Sequence, residues 1–308
     1  MPKVSVILPT HNRALMLGRA VASVLLQSFA DFELLVVDDA SNDDTAHAIQ
    51  GFTDPRIKYI RHTFNRGEAE SRNTGIRIAC GEYIAYLDDD DEWLPEKLAK
   101  QVSLMESSTQ ALGLVYTGMH LVELATRKTL STWIPQHRGC VLEPLLEKNF
   151  PLGATALLRM ECFRTVGTYD PSIPYGPDWE MSIRIARRFN VEAIPEPLYR
   201  YSIHPKQLTA NPRIRLAGLQ KVLELHSDLF AGHPKAHAHQ LVNLGLLHYL
   251  CGNPREARAS LRRGVLCYPL WVRPYKLYLL SFLSADFFNK LLAFRERTSL
   301  DGEGLEAG

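Results

Sequence analysis

Tyr83-Ile84-Ala85-Tyr86-Leu87-Asp88-Asp89-Asp90-Asp91-Glu92-Trp93 is the stretch from which the fold is read. Its apolar, aromatic first half has the composition of a buried strand, and it runs straight into five consecutive acids. Adjacent carboxylates repel one another, so a strand end gains no stability from them alone. A hard divalent cation offsets that repulsion, because Mg²⁺ and Mn²⁺ take oxygen ligands. The C-terminal ends of strands are also where an open α/β sheet holds its ligands. The competing reading is a solvated acidic loop, the commoner fate of a charge run. A calcium EF-hand is excluded: Trp93 stands where that loop requires Gly, and Ala99 where it requires a bidentate Glu.

At 308 residues the chain has room for one large α/β domain and a smaller appendage. A hydrophobic fraction of 46% with 22% charged residues suits a soluble globular protein. Cys80, Cys140, Cys162, Cys251 and Cys267 are odd in number and form no C-x-x-C, which points to reduced thiols rather than disulfides or a zinc site. The apolar run at 4–8 is too short for a signal peptide, and the run at 277–285 is about half a bilayer span. A cytoplasmic protein is expected. Residues 212–308 hold 13 Lys and Arg against 8 Asp and Glu, whereas the first 211 hold 22 against 26. Neither part has the basic density of a nucleic-acid binder, so no nucleic-acid partner is expected.

Residues 3–8 read as a short buried strand closed by Pro9. The spacing of Leu17, Val21, Val24 and Leu25 predicts a helix over 15–28. A second buried strand, 32–37, ends in Asp38-Asp39. Ser41 or Asn42 is placed to cap the next helix, with Asp43 and Asp44 in its first turn. A strand is predicted at 56–61, a helix at 67–80, the aromatic strand at 83–87, and a helix over 95–106 opened by Pro95. This alternation calls for a largely parallel sheet covered on both faces. Beyond 112–117 the rhythm breaks. Residues 118–155 give weak strand signals and turns, 155–158 a strand, 178–189 a helix, and Pro195 and Pro197 lead into a strand at 198–203.

From Pro212 the chain reads as helix upon helix. Asn253-Pro254-Arg255-Glu256 has the form of an Asn N-cap, Pro at N1 and Glu at N3. With 241–251 it resembles one tetratricopeptide-type hairpin, and a single copy builds no solenoid; a helical cap on the main domain is the plainer expectation. The acidic, glycine-rich end has the composition of a disordered tail.

No G-x-G-x-x-G follows the first strand and no G-x-x-x-x-G-K-[ST] occurs, which removes a dinucleotide Rossmann site and a P-loop. Acidic strand ends without a glycine cradle suit a metal that handles phosphates, leaving one carboxylate to accept from a base or ribose. Five ordered segments carry a more specific signal. Val6-Ile7-Leu8-Pro9-Thr10-His11-Asn12-Arg13 and Val37-Asp38-Asp39-Ala40-Ser41-Asn42-Asp43-Asp44-Thr45 resemble the opening motifs of glycosyltransferase family 2. Asn65-Arg66-Gly67, Arg72-Asn73-Thr74-Gly75 and Leu87-Asp88-Asp89-Asp90-Asp91-Glu92-Trp93 resemble its next ones. The resemblance covers about 210 residues. It implies the GT-A fold, a Rossmann-like α/β mixed sheet flanked by helices, with a C-terminal helical appendage. The expected division is 1–211, 212–300 and a tail at 301–308.

The resemblance assigns Pro9, Thr10 and Asn12 to the nucleoside rim, Asp39 to the base imide, and Arg72 to the nucleotide. Asp88 and Asp89 would lie at the ribose and metal, and Asp90 would ligate a Mn²⁺ or Mg²⁺ ion that neutralises the leaving diphosphate. His204 resembles a histidine that approaches the metal or diphosphate. Asp178, in Pro177-Asp178-Trp179-Glu180, aligns with the catalytic base; Pro177 departs from the family pattern, and Glu180 is a competitor. The implied reaction is metal-dependent, inverting transfer of a sugar from a nucleotide-diphosphosugar, most simply a UDP-sugar, to a saccharide or lipid-linked acceptor. The basic and apolar C-terminal helices suit peripheral contact with the inner face of a membrane. Two other readings stay open. One is a metal-dependent nucleotidyltransferase, for which Arg13 alone is thin support near the first loop; the other is a non-catalytic module that binds sugar nucleotides or recruits partners.

Overall fold

The four apolar runs of the first 86 residues become β1 (Val4–Thr10), β2 (Phe32–Asp38), β3 (Ile57–Arg61) and β4 (Tyr83–Tyr86). β1, β2 and β4 are buried along their whole length, as expected of strands covered on both faces. They pair in parallel, β2 and β4 flanking β1 and β3 adding outside β2. The crossovers carry α1 (Ala14–Leu25), α2 (Thr45–Gln50) and α3 (Glu68–Ile78). The computed structural model describes residues 1–108, 111–204 and 211–282.

After β4 come β5 (Glu92–Trp93), α4 (Lys97–Glu106), β6 (Leu112–Glu123), β7 (Thr129–Trp133), α5 (Leu142–Glu147) and α6 (Leu152–Thr155). They are followed by β8 (Leu157–Arg159), α7 (Met160–Val166), α8 (Pro177–Ala186) and β9 (Asn190–Ile203). Among the described residues one mixed sheet results, in the order β3-β2-β1-β4-β8-β6-β9-β5, with β7 on β6. β8 is antiparallel to both β4 and β6, so the parallel rhythm ends there. The two-residue strand β5 pairs Glu92 with Arg200 and Trp93 with Tyr199. Residues 88–91 therefore span from the end of β4 to an edge strand held by β9.

Several sequence expectations change. β1 continues through Pro9, which faces Val37, to Thr10; Pro at a strand end forfeits little of the ladder. β6 runs on to Glu123, and β9 begins at Asn190 and passes through both prolines. Register shifts around Gly118 absorb the irregularity opposite Pro197. Neither Ser41 nor Asn42 caps α2. The N-cap position is Asp44, whose side chain makes no capping bond; Asp43, one residue earlier, accepts from Thr45 N at 3.0 Å through Oδ1 and from Ala14 N, the first residue of α1, at 3.1 Å through Oδ2. One acid thus serves the starts of two helices.

Chain contacts divide the protein into two compact units. The first comprises Met1–Val141, Pro151–Pro171 and Met181–His204, which contain the sheet. The second takes Leu142–Phe150, Ser172–Glu180 and the described chain from 211 onward. In it lie α9 (Pro212–Leu225), α10 (Ser227–Gly232), α11 (Pro234–Leu250), α12 (Pro254–Cys267) and α13 (Val272–Leu280). Gln240 Nε2 donates to the carbonyls of Leu146 and Glu147 and so covers the end of α5. Val242, Tyr249, Ala257, Leu261 and Leu277 form a core shared by α11, α12 and α13. Gly245 lets α11 and α12 approach closely, since a Cβ there would stand 2.8 Å from Leu261. The N-cap expected of Asn253 is absent: its side chain makes no capping bond, and Pro254 at N1 needs no partner. The expected tail at 301–308 lies outside the described residues.

Lys97, the first residue of α4, is fully buried. Its Nζ donates to Gln101 Oε1 at 2.8 Å and lies 4.2 Å from the centre of the Trp93 ring. Gln101 in turn donates to the carbonyls of Val115 and Thr155. Among the described residues no carboxylate pairs with the amine, and burial lowers its pKa from 10.5 to about 7. Between those two values the unfolded chain holds a proton that the folded chain has shed. Stability should therefore rise with pH through that window, by up to roughly 1.4 kcal/mol per pH unit. Lys97→Met should flatten the rise in denaturant titrations from pH 7 to pH 10; an unchanged slope would mean that the buried amine stays charged.

Candidate active site

The acids after β4 do not share one fate. Asp91 is buried, its Oδ2 accepting from Tyr199 OH and its Oδ1 from Ser202 N, both at 2.7 Å. It is the bracket that ties the loop to β9. Burial, then the charges of Asp90 and Asp88, push its pKa well above the carboxylate range. Asp89 is also buried, accepts from Thr10 Oγ1 at 2.7 Å and faces Arg13 NH1 at 3.4 Å. Burial raises its pKa to about 7, with Arg13 opposing the shift. Asp90 Oδ2 meets Arg13 NH1 in a very short contact and His204 Nε2 at 2.9 Å. Asp88, one third exposed, accepts from Arg72 NH2 at 2.8 Å.

The ends of β1 and β2 build a rim beside this loop. His11 Nδ1 donates to the Asp39 carbonyl at 2.8 Å while its Nε2 faces the Asn12 amide nitrogen at 3.0 Å, which selects the Nδ1–H tautomer. Asn12 N donates to Ser41 Oγ, and Asn42 N donates to Asn12 Oδ1, so the loops interlock reciprocally. Asn12 and Ala40 both sit in the left-handed region, at φ 54° and 59°. Alanine has no polar side chain to favour that conformation, which costs roughly 1 kcal/mol and is characteristic of sites where backbone shape serves a ligand. Ala40, Ser41, Asn42, Arg61, His62 and Thr63 line a concavity of about 440 Å³. Pro9 itself is buried within β1.

Asp38 and Asp39 are both internal. Asp38 accepts from Ser41 N at 2.8 Å, pairs with Arg61 at 3.6 Å and closely with Tyr59 OH. Asp39 Oδ1 accepts from Arg66 N at 2.8 Å and from His62 Nδ1 at 2.7 Å, and Oδ2 accepts from Gly67 N at 2.7 Å. Three of about four acceptor positions are thereby engaged. Gly67, at φ 87° and ψ 163°, occupies a region open essentially to glycine alone, which explains its place in Asn65-Arg66-Gly67.

In Arg72-Asn73-Thr74-Gly75, three residues do three different things. Arg72 is buried between Glu68 Oε1, at 2.6 Å, and Asp88, with the Tyr86 and Tyr169 rings 5.5 and 5.6 Å from its guanidinium carbon. Asn73 exchanges a pair of 2.9 Å hydrogen bonds with the backbone of Tyr169. Gly75 lets α3 press on β1, since a Cβ would meet Ile7 at 2.5 Å.

Among the described residues no group of three or more His, Cys, Asp or Glu could form a metal cage. Asp90 and His204 nevertheless supply one carboxylate and one imidazole that converge at 2.9 Å. A carboxylate, an imidazole and substrate phosphates form a donor set that suits Mn²⁺ or Mg²⁺. The residues present therefore fit such an ion. Asp178 and Glu180 lie in the second unit, in the first turn of α8. Asp178 is half-buried, whereas Glu180 is buried with its Oε1 3.0 Å from His226 Nε2. Trp179 between them donates to the Leu145 carbonyl at 2.9 Å. Sequence reasoning missed Arg13 as the partner of Asp89 and Asp90, His62 as a holder of Asp39, and Tyr199 as the partner of Asp91. The Arg13 and Tyr199 pairings join residues 76 to 108 positions apart, with no local spacing to betray them.

Residues 5–167 match the model of glycosyl transferase family 2. One relative is the Escherichia coli UDP-Glc:alpha-D-GlcNAc-diphosphoundecaprenol beta-1,3-glucosyltransferase WfgD, 42% identical over 102 residues. That match covers 33% of this chain and 40% of WfgD, so the chain spans less than half of that relative's length. Among solved structures, the S. aureus TarS 1-349 fragment in complex with UDP-GlcNAc matches 91% of this chain and 87% of its own, at a TM-score of 0.62 and 16% identity. Mannosyltransferase PcManGT from Pyrobaculum calidifontis, in complex with GDP-Man and Mn²⁺, matches 97% of this chain and 81% of its own, at a TM-score of 0.61 and 20% identity. At such identities the two structures establish the fold, which is GT-A.

The bonds to Asp39 make a test that needs no ligand. Asp39→Ala strips the acceptor from two backbone N–H groups and from His62, and should destabilise the unliganded protein by about 3–5 kcal/mol. Thermal melting without nucleotide reads this directly. An unchanged melting temperature would mean that the carboxylate serves only a ligand.

Proposed function

The chain belongs to glycosyl transferase family 2, and on that premise we propose that it moves a sugar from a UDP-sugar to a hydroxyl of a lipid-linked saccharide, with inversion and with a divalent metal. The observation that carries the reading is the grouping of Arg13, Asp88, Asp89, Asp90 and His204 between β1, β4 and β9, beside the strained rim at Asn12 and Ala40. Relatives and neighbours that act on UDP-Glc or bind UDP-GlcNAc support the donor class. The diphosphoundecaprenol substrate of WfgD supports the acceptor class, and the Mn²⁺ bound by PcManGT supports the metal.

In this reading Pro9, Thr10 and Asn12 form the nucleoside border with the 40–42 loop, and Asp39 offers its remaining acceptor position to the base. Arg72 and Asp88 hold the ribose and the phosphates, with Asp89 keeping Thr10 and Arg13 in place. Asp90 and His204 would hold the ion, which when bound supplies Lewis-acid neutralisation of the leaving diphosphate. Asp178 is the base. The acceptor oxygen bonds to the anomeric carbon as the bond from that carbon to the phosphate oxygen breaks; the nucleoside diphosphate leaves, and the hydroxyl proton passes to Asp178. Attack opposite the leaving group inverts the centre. Burial favours Asp178 over Glu180: Asp178 is half-buried, whereas Glu180 is buried with its Oε1 3.0 Å from His226 Nε2.

Asp178→Asn should keep UDP binding and lose transfer by about 10²–10⁴-fold, whereas Glu180→Gln should lose far less. Release of UDP from UDP-glucose with a diphosphoundecaprenol-linked acceptor measures both. An active Asp178→Asn beside an inactive Glu180→Gln would transfer the role to Glu180. Release of pyrophosphate from UTP, with none of UDP from the sugar donor, would make the protein a nucleotidyltransferase.

A further inference from the structure

We propose that the outward face of α13 docks the protein on an anionic lipid bilayer. α13 is apolar on two sides. Its inner side places Leu277 in the core with Val242 and Leu261. Its outer side presents Val272, Tyr275 and Leu279 at helical spacing, with Phe282 one turn further on. Val272 is 60% exposed, Leu279 69% and Phe282 59%, and Leu270 just before the helix is 85% exposed. The core shared with α11 and α12 covers only the inner side of α13. Large side chains presented together in this way mark an interaction surface, unlike apolar residues scattered singly.

Charge decides the occupant. From Asn253 to Phe282 the chain carries Arg255, Arg258, Arg262, Arg263, Arg273 and Lys276 against the single acid Glu256. Lys276 lies on the exposed side of α13 itself, and the Arg258 guanidinium stands 4.9 Å from the Phe282 ring. A second copy docked face to face would set this positive surface against itself, because a two-fold interface repeats the same patch on both sides. An anionic bilayer receives the apolar side chains and attracts the cations around them. Among the described residues no helix is long and apolar enough to cross a membrane, so the surface is suited to lying on one. This inference is independent of the reaction proposed above.

Co-sedimentation of the full chain with phosphatidylcholine vesicles, and with mixed phosphatidylcholine–phosphatidylglycerol vesicles, tests it. The bound fraction should be at least about tenfold higher on the anionic vesicles and should fall as salt shortens the screening length. Leu279→Glu and Lys276→Glu, both at exposed positions, should each lower binding to anionic vesicles several-fold while leaving UDP binding and the melting temperature unchanged. Equal binding to both vesicle types, binding to neither, or variants that bind like the parent would overturn the proposal. So would a dimer, seen by sedimentation velocity without lipid, that Leu279→Glu dissociates.

Discussion

Four carboxylates in sequence at the end of a buried strand are a repulsive arrangement, and the sheet unit is organised around relieving it. Asp91 is turned inward and held by Tyr199 and Ser202 of β9. Asp89 is held by Thr10 at the end of β1, and Asp88 by Arg72 of α3. Asp90 meets the guanidinium of Arg13 and the imidazole of His204. Asp89 and Asp90 share Arg13, and the run as a whole joins β1, β9 and α3. The geometry also sorts the run by task. Asp91 and Asp89 are buried, while Asp88 pairs with Arg72 and Asp90 with Arg13 and His204.

The rim beside the run follows similar physics. Two residues in left-handed conformations stay there because Asn12, Ser41 and Asn42 exchange hydrogen bonds across the loops. The pinning of Asp39 by Arg66, Gly67 and His62 then positions the start of α3, the helix that carries Arg72. A family motif that looks in sequence like a ligand signature is thus partly a set of backbone requirements. Gly67 is demanded by its dihedral angles, Gly75 by the closeness of Ile7, and Asn73 by the backbone of Tyr169.

That division explains what the sequence disclosed. The buried strands were legible because continuous apolar runs have few other uses, and the family motifs were legible because their order and composition are unusual. Less legible was anything set by distant pairing. β5 is two residues long and exists only through β9, and β9 contains two prolines that argue locally against a strand. The caps at Ser41, Asn42 and Asn253 had the right residue types. The Ser41 side chain instead accepts from the Asn12 N–H, and the Asn253 side chain makes no capping bond. Lys97 gave no sign of burial, because a lysine at the start of an amphipathic helix is ordinarily solvated.

One paired measurement tests the division of labour within the acidic run. Asp90→Ala and Asp91→Ala are each melted without ligand and then titrated with UDP in the presence and absence of Mn²⁺. Asp90→Ala should melt within about 2 °C of the parent and lose the Mn²⁺-dependent part of UDP binding. Asp91→Ala, which leaves Tyr199 OH and Ser202 N without their acceptor, should melt at least about 5 °C lower. Unchanged Mn²⁺-dependent binding in Asp90→Ala, together with an unchanged melting temperature in Asp91→Ala, would contradict it.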